Sequence, residues 1–404
     1  MRQLNVHERR WREFDLTASE VAELRASGFV EVATGPRPGS WRIRGTRYVG
    51  AARIGSADPI EVRIEPKVTV DRLLFLVGYA QQQQEWRPEE IGVREAPDLL
   101  PVAAHAFARA ADRALREGVL LGYREIDAPL SQVVGRIRQS DQLRVRYGFP
   151  LPVEVRYDDF TPDIPENQLL LAAAYRLLRL TDIYAETRKS LHHLLVRLTG
   201  VKRLATGRPL PRWYLTRLNR RYSTALGLAE LVLRGASYEL DGADNLRTDG
   251  LLVLNMWKVF EEFITAGLTS ALRRYGGECS AQDKRHHLDD AHLFQLIPDL
   301  VYDRPGREGI QVPAAVIDAK YVIETGSSAN RDHIYQVLAY CTAARVRRGY
   351  VVYAEGPAQP SVHRITGTDV EIMQYPLDLS QTPAGLLAQI DSLAERIAGP
   401  RHAA

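Results

Sequence analysis

The chain has 404 residues, 53 of them Lys or Arg and 50 Asp or Glu, for a formal charge of +3. With 45% hydrophobic and 25% charged residues it has the composition of a globular protein of two or three domains, which excludes a disordered or fibrous chain. No uncharged apolar run approaches the roughly 20 residues that span a bilayer. The opening MRQLNVHERRWREFD has no apolar core of a secretion signal, and two cysteines, Cys279 and Cys341, are too few for a disulfide framework. A cytoplasmic protein with buried free thiols and no membrane contact is expected.

In chain order, residues 27–70 alternate apolar runs with Gly-Pro and Asp-Pro breaks, so GFVEVAT, SWRIRGTRYVGAARIG and PIEVRIEPKV read as strands of a small β-rich module. A helix is expected over Asp71–Trp86 and another over 101–121, where Ala, Leu and Phe recur at helical spacing. A mixed strand-and-loop region follows, from Gly122 to about Pro165. Glu166–Gly200 and Tyr222–Arg234 read as helical, and ASYELDGADN, from Ala236 to Asn245, as a loop and boundary. The remainder predicts helix Leu251–Tyr275, strands Leu293–Tyr302 and Ala314–Val322, helix Arg331–Arg345 and strand Gly349–Tyr353. The expected class is therefore multidomain α+β: a β-rich N-terminal module, a helical middle, and a C-terminal α/β domain with a mixed sheet.

Chemistry is concentrated in Pro298-Asp299 and Asp318-Ala319-Lys320. Asp318 and Lys320 are two apart on a strand and share a face. A hairpin turning through RPGREG, Arg304 to Gly309, brings Asp299 beside Asp318. Two carboxylates and one ammonium in a small volume suit hydrolysis assisted by a hard divalent cation. Mg²⁺ takes oxygen ligands and keeps several waters, and Asp299, Asp318 and the Ala319 carbonyl are the candidate ligands. Lys320 is the candidate to orient the attacking water or stabilise phosphorane charge. The acidic-x-Lys triplet is weak on its own, since a second one occurs at Glu65-Pro66-Lys67. That one is demoted by Pro66, which cannot donate to a sheet ladder, whereas a strand opening on Pro-Asp precedes the first. A structural salt bridge is the competing reading of Asp318 and Lys320. Glu261, on the preceding helix, is within reach of the same site, though a surface carboxylate is the default for its spacing. Gln336 and Tyr340 share one face of the following helix, Gln336 toward phosphate or water and Tyr340 toward the core.

The series Glu261, Asp299, Asp318-Ala319-Lys320 and Gln336/Tyr340 resembles the PD-(D/E)xK nuclease superfamily. More narrowly, the chain resembles the McrC family, the nuclease subunits of McrBC-type modification-dependent restriction systems. The likeness also rests on Ile64-Glu65-Pro66-Lys67-Val68, Gly135-Arg136-Ile137, Tyr157-Asp158-Asp159-Phe160-Thr161-Pro162-Asp163 with Asn167, and Leu218-Asn219-Arg220-Arg221-Tyr222, all in the family's order. Arg10–Arg47 matches nothing in it. The resemblance implies an Mg²⁺-dependent endonuclease acting on modified, methylcytosine-containing double-stranded DNA beside an McrB-like AAA+ GTPase oligomer, whose GTPase it stimulates. GTP is then bound by the partner and not by this chain, in keeping with the absence of any Gly-Lys dipeptide and hence of a phosphate-binding P-loop. By role, residues 1–165 are expected to bind the partner, 166–245 to connect, and 246–404 to form the nuclease domain. A non-catalytic adaptor of an AAA+ ring, or a different PD-(D/E)xK repair nuclease, are the alternatives.

Two basic stretches are candidates for DNA or partner contact. Residues 202–221 hold seven basic residues and no acidic one around Trp213 and Tyr214, and Arg136, Arg138, Arg144 and Arg146 form the second. His286, His287 and His292, near Asp289 and Asp290, match no compact zinc spacing and are expected to form a polar loop.

Overall fold

The computed structural model describes residues 2–55, 59–81, 99–180, 182–205, 209–234, 249–305, 310–321, 327–354 and 359–399. Their contacts divide the chain into two compact units, Met1–Ala103 with Arg234–Ala404, and Ala104–Leu233. This division by contact differs from the division by role at residues 165 and 245.

The first unit begins with β1 (Gln3–His7), β2 (Arg12–Asp15), α1 (Ala18–Ser27), β3 (Val30–Thr34), β4 (Ser40–Gly45), β5 (Tyr48–Ile54), β6 (Ile60–Glu65) and α2 (Val70–Gln81). The expected strands are present, but they serve two sheets. β4 lies between β2 and β3, while β1 pairs with β6 and β6 with β5. Arg10–Arg47 is thus largely the three-stranded sheet with α1, whose first turn is fixed by a capping box of Thr17 and Glu20. The sequence reading overlooked β1, β2 and α1 because they are short and mostly polar. The expected continuation of α2 to Trp86 lies outside the described residues.

The second unit contains α3 (Leu99–Leu115, begun in the first), β7 (Gly122–Leu130), β8 (Arg136–Ile137), α4 (Gln139–Val145), β9 (Val153–Thr161), α5 (Pro165–Leu177), α6 (Ala185–Arg197) and α7 (Ser223–Arg234). β7 and β9 pair antiparallel over nine residues each, an arm of about 30 Å. No residue of β7 or α4 is buried. Gly135 lets β8 lie close on β9, since a Cβ there would stand 2.3 Å from the Arg156 carbonyl oxygen.

The motifs Asp163, Asn167 and Asn219 form a structural knot in this unit. Buried Asn167 donates to the carbonyls of Leu120 and Pro162 at 2.8 and 2.7 Å. Asn219 donates to Glu166 and to the Tyr214 carbonyl, and the Tyr222 hydroxyl accepts from Leu120 N–H. The described parts of the basic stretch, residues 202–205 and 209–221, are held by these bonds, by Lys202 N–H on Asp163 and by Trp213 Nε1 on Glu230, and end in a 3-10 turn at Arg220–Tyr222. In the other stretch Arg138 and Arg144 pair with Asp141, and Arg146 with Glu154.

The first unit resumes with β10 (Asp249–Asn255), α8 (Met256–Leu272), β11 (Glu278–Ala281), β12 (His286–His287), β13 (Gln295–Leu296), β14 (Leu300–Pro305), β15 (Gln311–Lys320), α9 (Ser327–Ala344), β16 (Arg348–Tyr353), β17 (Ser361–Arg364), β18 (Glu371–Pro376) and α10 (Pro383–Ala398). The loop expected at Ala236–Asn245 lies outside the described residues. Residues 251–255, read as the start of a helix, are strand: β10 pairs with β5, and a short apolar run carries no periodicity to tell the two apart. The helix starts where Asn255 accepts the N–H groups of Trp257 and Lys258. A six-stranded sheet runs β11-β14-β15-β16-β18-β17, antiparallel across β14/β15 and parallel across β15/β16/β18. α8 packs against β15, α2 and α10, and α9 against β15 and β16. Gly349 admits α9 to this close approach, since a Cβ would stand 2.4 Å from Val337. The mixed α+β class is as expected. Strand 293–302 is broken at Pro298, which has no N–H for the ladder, and no expectation covered β17, β18 or α10.

Candidate active site

The site forms where β14 begins and β15 ends. Leu300 stands opposite Ile317, so the same antiparallel register puts Asp299 opposite Asp318, on one face of the sheet. The strands meet as the hairpin reading required; residues 306–309 of its turn lie outside the described residues. Ala319 N–H donates to Asp299 Oδ2 at 2.8 Å. The Lys320 carbonyl accepts from Ala354 N–H toward β16. Alternation along the strand turns the Ala319 carbonyl to the Asp299 edge.

Asp318 is 1% exposed. Lys320 Nζ lies 2.7 Å from its Oδ2, a close ion pair. Burial pushes the Asp318 carboxyl up to about 6, against the attraction of Lys320 and with the repulsion of Asp299. Burial also raises Asp299, which Ala319 N–H, Lys320 and Gln282 pull back. Glu261, one turn into α8, is pushed up to about 7 by burial and then by the charge of Asp299. The three carboxyls share one electrostatic neighbourhood, which a cation would relieve.

Gln336 is exposed and donates to the Tyr340 hydroxyl at 2.7 Å. Tyr340 is in the core, as expected, with Val301, Val316 and Val351, and burial and the nearby Asp318 carboxylate raise its hydroxyl to about 12. The sequence reading missed two neighbours. His333, on α9, meets the Tyr353 hydroxyl at 3.3 Å, and burial followed by the charge of Lys320 lowers its imidazole. Gln282 bridges Glu261 and Asp299, donating from Nε2 to both carboxylates. No local pattern marks either; β11, which carries Gln282 in, is only four residues long.

Two carboxylates and a backbone carbonyl are hard oxygen donors of the kind Mg²⁺ takes while keeping waters; among the described residues no group of three or more His, Cys, Asp or Glu side chains is placed to hold a metal. His286 pairs with Asp283, and the rings of His287 and His292 meet edge to face 4.4 Å apart; His286 and His287, expected in a loop, form β12. Cys341 is buried as expected; Cys279 is only half-buried, at the edge strand β11.

The second acidic-x-Lys triplet is structural. Lys67 N–H and the Tyr321 hydroxyl both donate to buried Glu8, and the Lys67 ammonium lies 3.9 Å from the centre of the Tyr321 ring. No helix of the described residues is long and apolar enough to cross a membrane.

A family model described as McrBC 5-methylcytosine restriction system component matches residues 43–354. A chain of the refined half-complex from the tetradecameric assembly of Thermococcus gammatolerans McrB AAA+ hexamers with bound McrC is similar in fold, with a TM-score of 0.57 at 18% identity, covering 97% of this chain and 100% of that one. A chain of the Thermococcus gammatolerans McrBC complex gives a TM-score of 0.40 at 18% identity, covering 67% of this chain and 88% of that one. None of the curated proteins matches.

Proposed function

The chain belongs to the McrBC 5-methylcytosine restriction system component family, and on that footing we propose that it is the nuclease subunit, of PD-(D/E)xK type, which cuts methylcytosine-containing double-stranded DNA beside an McrB-like AAA+ GTPase. The observation that carries this reading is the meeting of Asp299, Asp318 and Lys320 at one end of the β14/β15 pair.

Asp299, Asp318 and the Ala319 carbonyl would hold Mg²⁺, with Glu261 supporting from α8. When bound, the ion supplies Lewis-acid activation of water and screens phosphate charge. Lys320 remains beside Asp318, where its ammonium orients the attacking water and stabilises charge growing on the phosphorus oxygens. Gln336, exposed beside the Tyr340 hydroxyl it donates to, contacts the phosphate backbone. Burial of Asp318 keeps bulk water from its carboxylate, so that its charge is spent on the cation.

Partner contact falls to the arm of β7, β9 and α4. Its tip exposes Leu143, Val145, Tyr147 and Phe149, with Tyr147 81% and Phe149 70% exposed, a display of apolar surface that marks an interaction site. Arg144 lies among them on α4. GTP hydrolysis belongs to the partner.

The test is reconstitution with the AAA+ partner. Asp318→Ala should abolish cleavage of methylated DNA while leaving stimulation of the partner's GTPase intact. Cleavage that survives the change overturns the site. A wild-type pair that hydrolyses GTP under stimulation but never cuts methylated DNA points to the adaptor reading.

A further inference from the structure

Gln282 follows the last residue of β11, and the register of β11 with β14, Ala281 opposite Leu300, sets it opposite Asp299. Its backbone N–H donates to the Asp299 carbonyl at 3.0 Å. Its side-chain amide donates to Glu261 Oε1 and, at 3.1 Å, to Asp299 Oδ1. The backbone is in the left-handed region, with φ +48°, a conformation that side chains other than Asn and Asp seldom adopt and that persists where the surroundings impose it. One amide nitrogen thus stands between two carboxylates that repel each other, and does for them what a cation would do.

We propose that Gln282 is a positioning residue that gates cation entry: its amide nitrogen holds the place between Glu261 and Asp299, and the ion enters by displacing it. This rests on the reading of Asp299 and Asp318 as a Mg²⁺ site. Three features support it. Gln282 is exposed, so its side chain can swing into solvent. The backbone bond to the Asp299 carbonyl does not involve the side chain, and ties the end of β11 to Asp299 independently of it. The amide occupies an oxygen of Asp299, which on the reading above is a ligand of the ion, so binding of one opposes binding of the other. The left-handed backbone is the device that aims the side chain inward, since an extended residue at this point would turn it along the sheet edge.

The experiment is titration of the full chain with Mn²⁺, free ion being counted by electron paramagnetic resonance, without partner or DNA. Gln282→Ala removes the competing donor and should bind Mn²⁺ about tenfold more tightly than wild type, the worth of one charge-assisted hydrogen bond. Gln282→Gly, which also relieves the backbone, should do the same and carries the test if the alanine variant fails to fold. Both should melt at lower temperature than wild type without the ion and gain more on adding it. Unchanged or weaker Mn²⁺ binding in a folded variant overturns the gate, because a merely structural glutamine, or one that ligates the ion, predicts that result. Wild-type chain that binds no Mn²⁺, or binds it equally well after Asp318→Ala, overturns the cation site itself and with it both proposals.

Discussion

Asp299 and Ala319 are joined across the β14/β15 edge: the Ala319 N–H, lying between the two functional side chains of β15, donates to Asp299 Oδ2. The bond fixes the carboxylate of one strand against the backbone of the other. Asp299→Asn retains an acceptor at that point and should fold normally while losing cleavage at least ~100-fold, the usual scale for removing a charge aimed at the transition state. Asp299→Ala should lose cleavage equally and also unfold more readily, by about 1–3 kcal/mol, because a half-buried donor is left without a partner. Cleavage assays and thermal melts of the two variants separate charge from scaffolding; equal melting temperatures would show that the bond carries no stability.

Stability should fall as pH rises through the site's range when divalent cations are absent. Glu261 is raised to about 7 and Asp318 to about 6, so between the ordinary carboxylate range and pH 7 the folded chain holds more protons than the unfolded one. Stability in that window has a negative slope with pH. A total loss of about 2–3 kcal/mol is expected, less than the shifts would give at full burial because solvent screens part of the repulsion. Mg²⁺ should flatten the slope, since it neutralises the same carboxylates. Melting curves across pH with chelator and with Mg²⁺ check this; a rising or flat profile in chelator contradicts it.

Lys320→Arg should not rescue function. Lys320 reaches Asp318 Oδ2 at 2.7 Å from a half-buried position, where a compact ammonium fits and a planar guanidinium must displace its neighbours. Cleavage should drop about 100-fold with little change in stimulation of the partner's GTPase. Single-turnover cleavage of the reconstituted pair measures it, and activity within twofold of wild type would remove Lys320 from the chemistry.

The arm's apolar tip should matter to the partner and not to folding. Leu143 and Tyr147 are exposed, so replacing both with Ala should change stability by no more than ~0.5 kcal/mol. If the tip is the docking surface, binding to the AAA+ partner should weaken about tenfold or more, as for anchor residues at an interface. Affinity by interferometry, beside a thermal melt, decides it.

Asn167→Ala should destabilise the second unit by about 2–4 kcal/mol, because the carbonyls of Leu120 and Pro162 both lose their donor in a buried setting. The motif around Asn167 therefore speaks for the fold and not for chemistry at this position. A denaturant titration with a probe in α5 measures the loss.

How much of the site was legible in the sequence follows from the range of each interaction. Asp318 and Lys320 share a strand, and alternation along a strand is a local rule, so their common face could be read directly. Asp299 required only one hairpin between two apolar runs. Glu261 had a helical address but no stated distance to the site, because the packing of α8 on β15 depends on α2 and α10 as well. Gln282 had no address at all: it is brought in by a four-residue edge strand and aimed by an unusual backbone angle, and neither leaves a pattern in composition or periodicity.

The sequence by itself determined the central apolar strands β14, β15 and β16 of the six-stranded sheet, the longer helices up to α9 and the order of acidic, amide and amine side chains, because burial demands a period of two or of 3.6 within a short window. The tertiary structure alone decided that residues 251–255 become the fourth strand of a sheet begun some 250 residues earlier, that the N-terminal module and the C-terminal sheet belong to one compact unit, and that a glutamine separates two carboxylates of the site. Those outcomes turn on pairings between distant segments, whose backbone hydrogen bonds are chemically alike whatever the partner strand, so no local stretch of sequence can specify them.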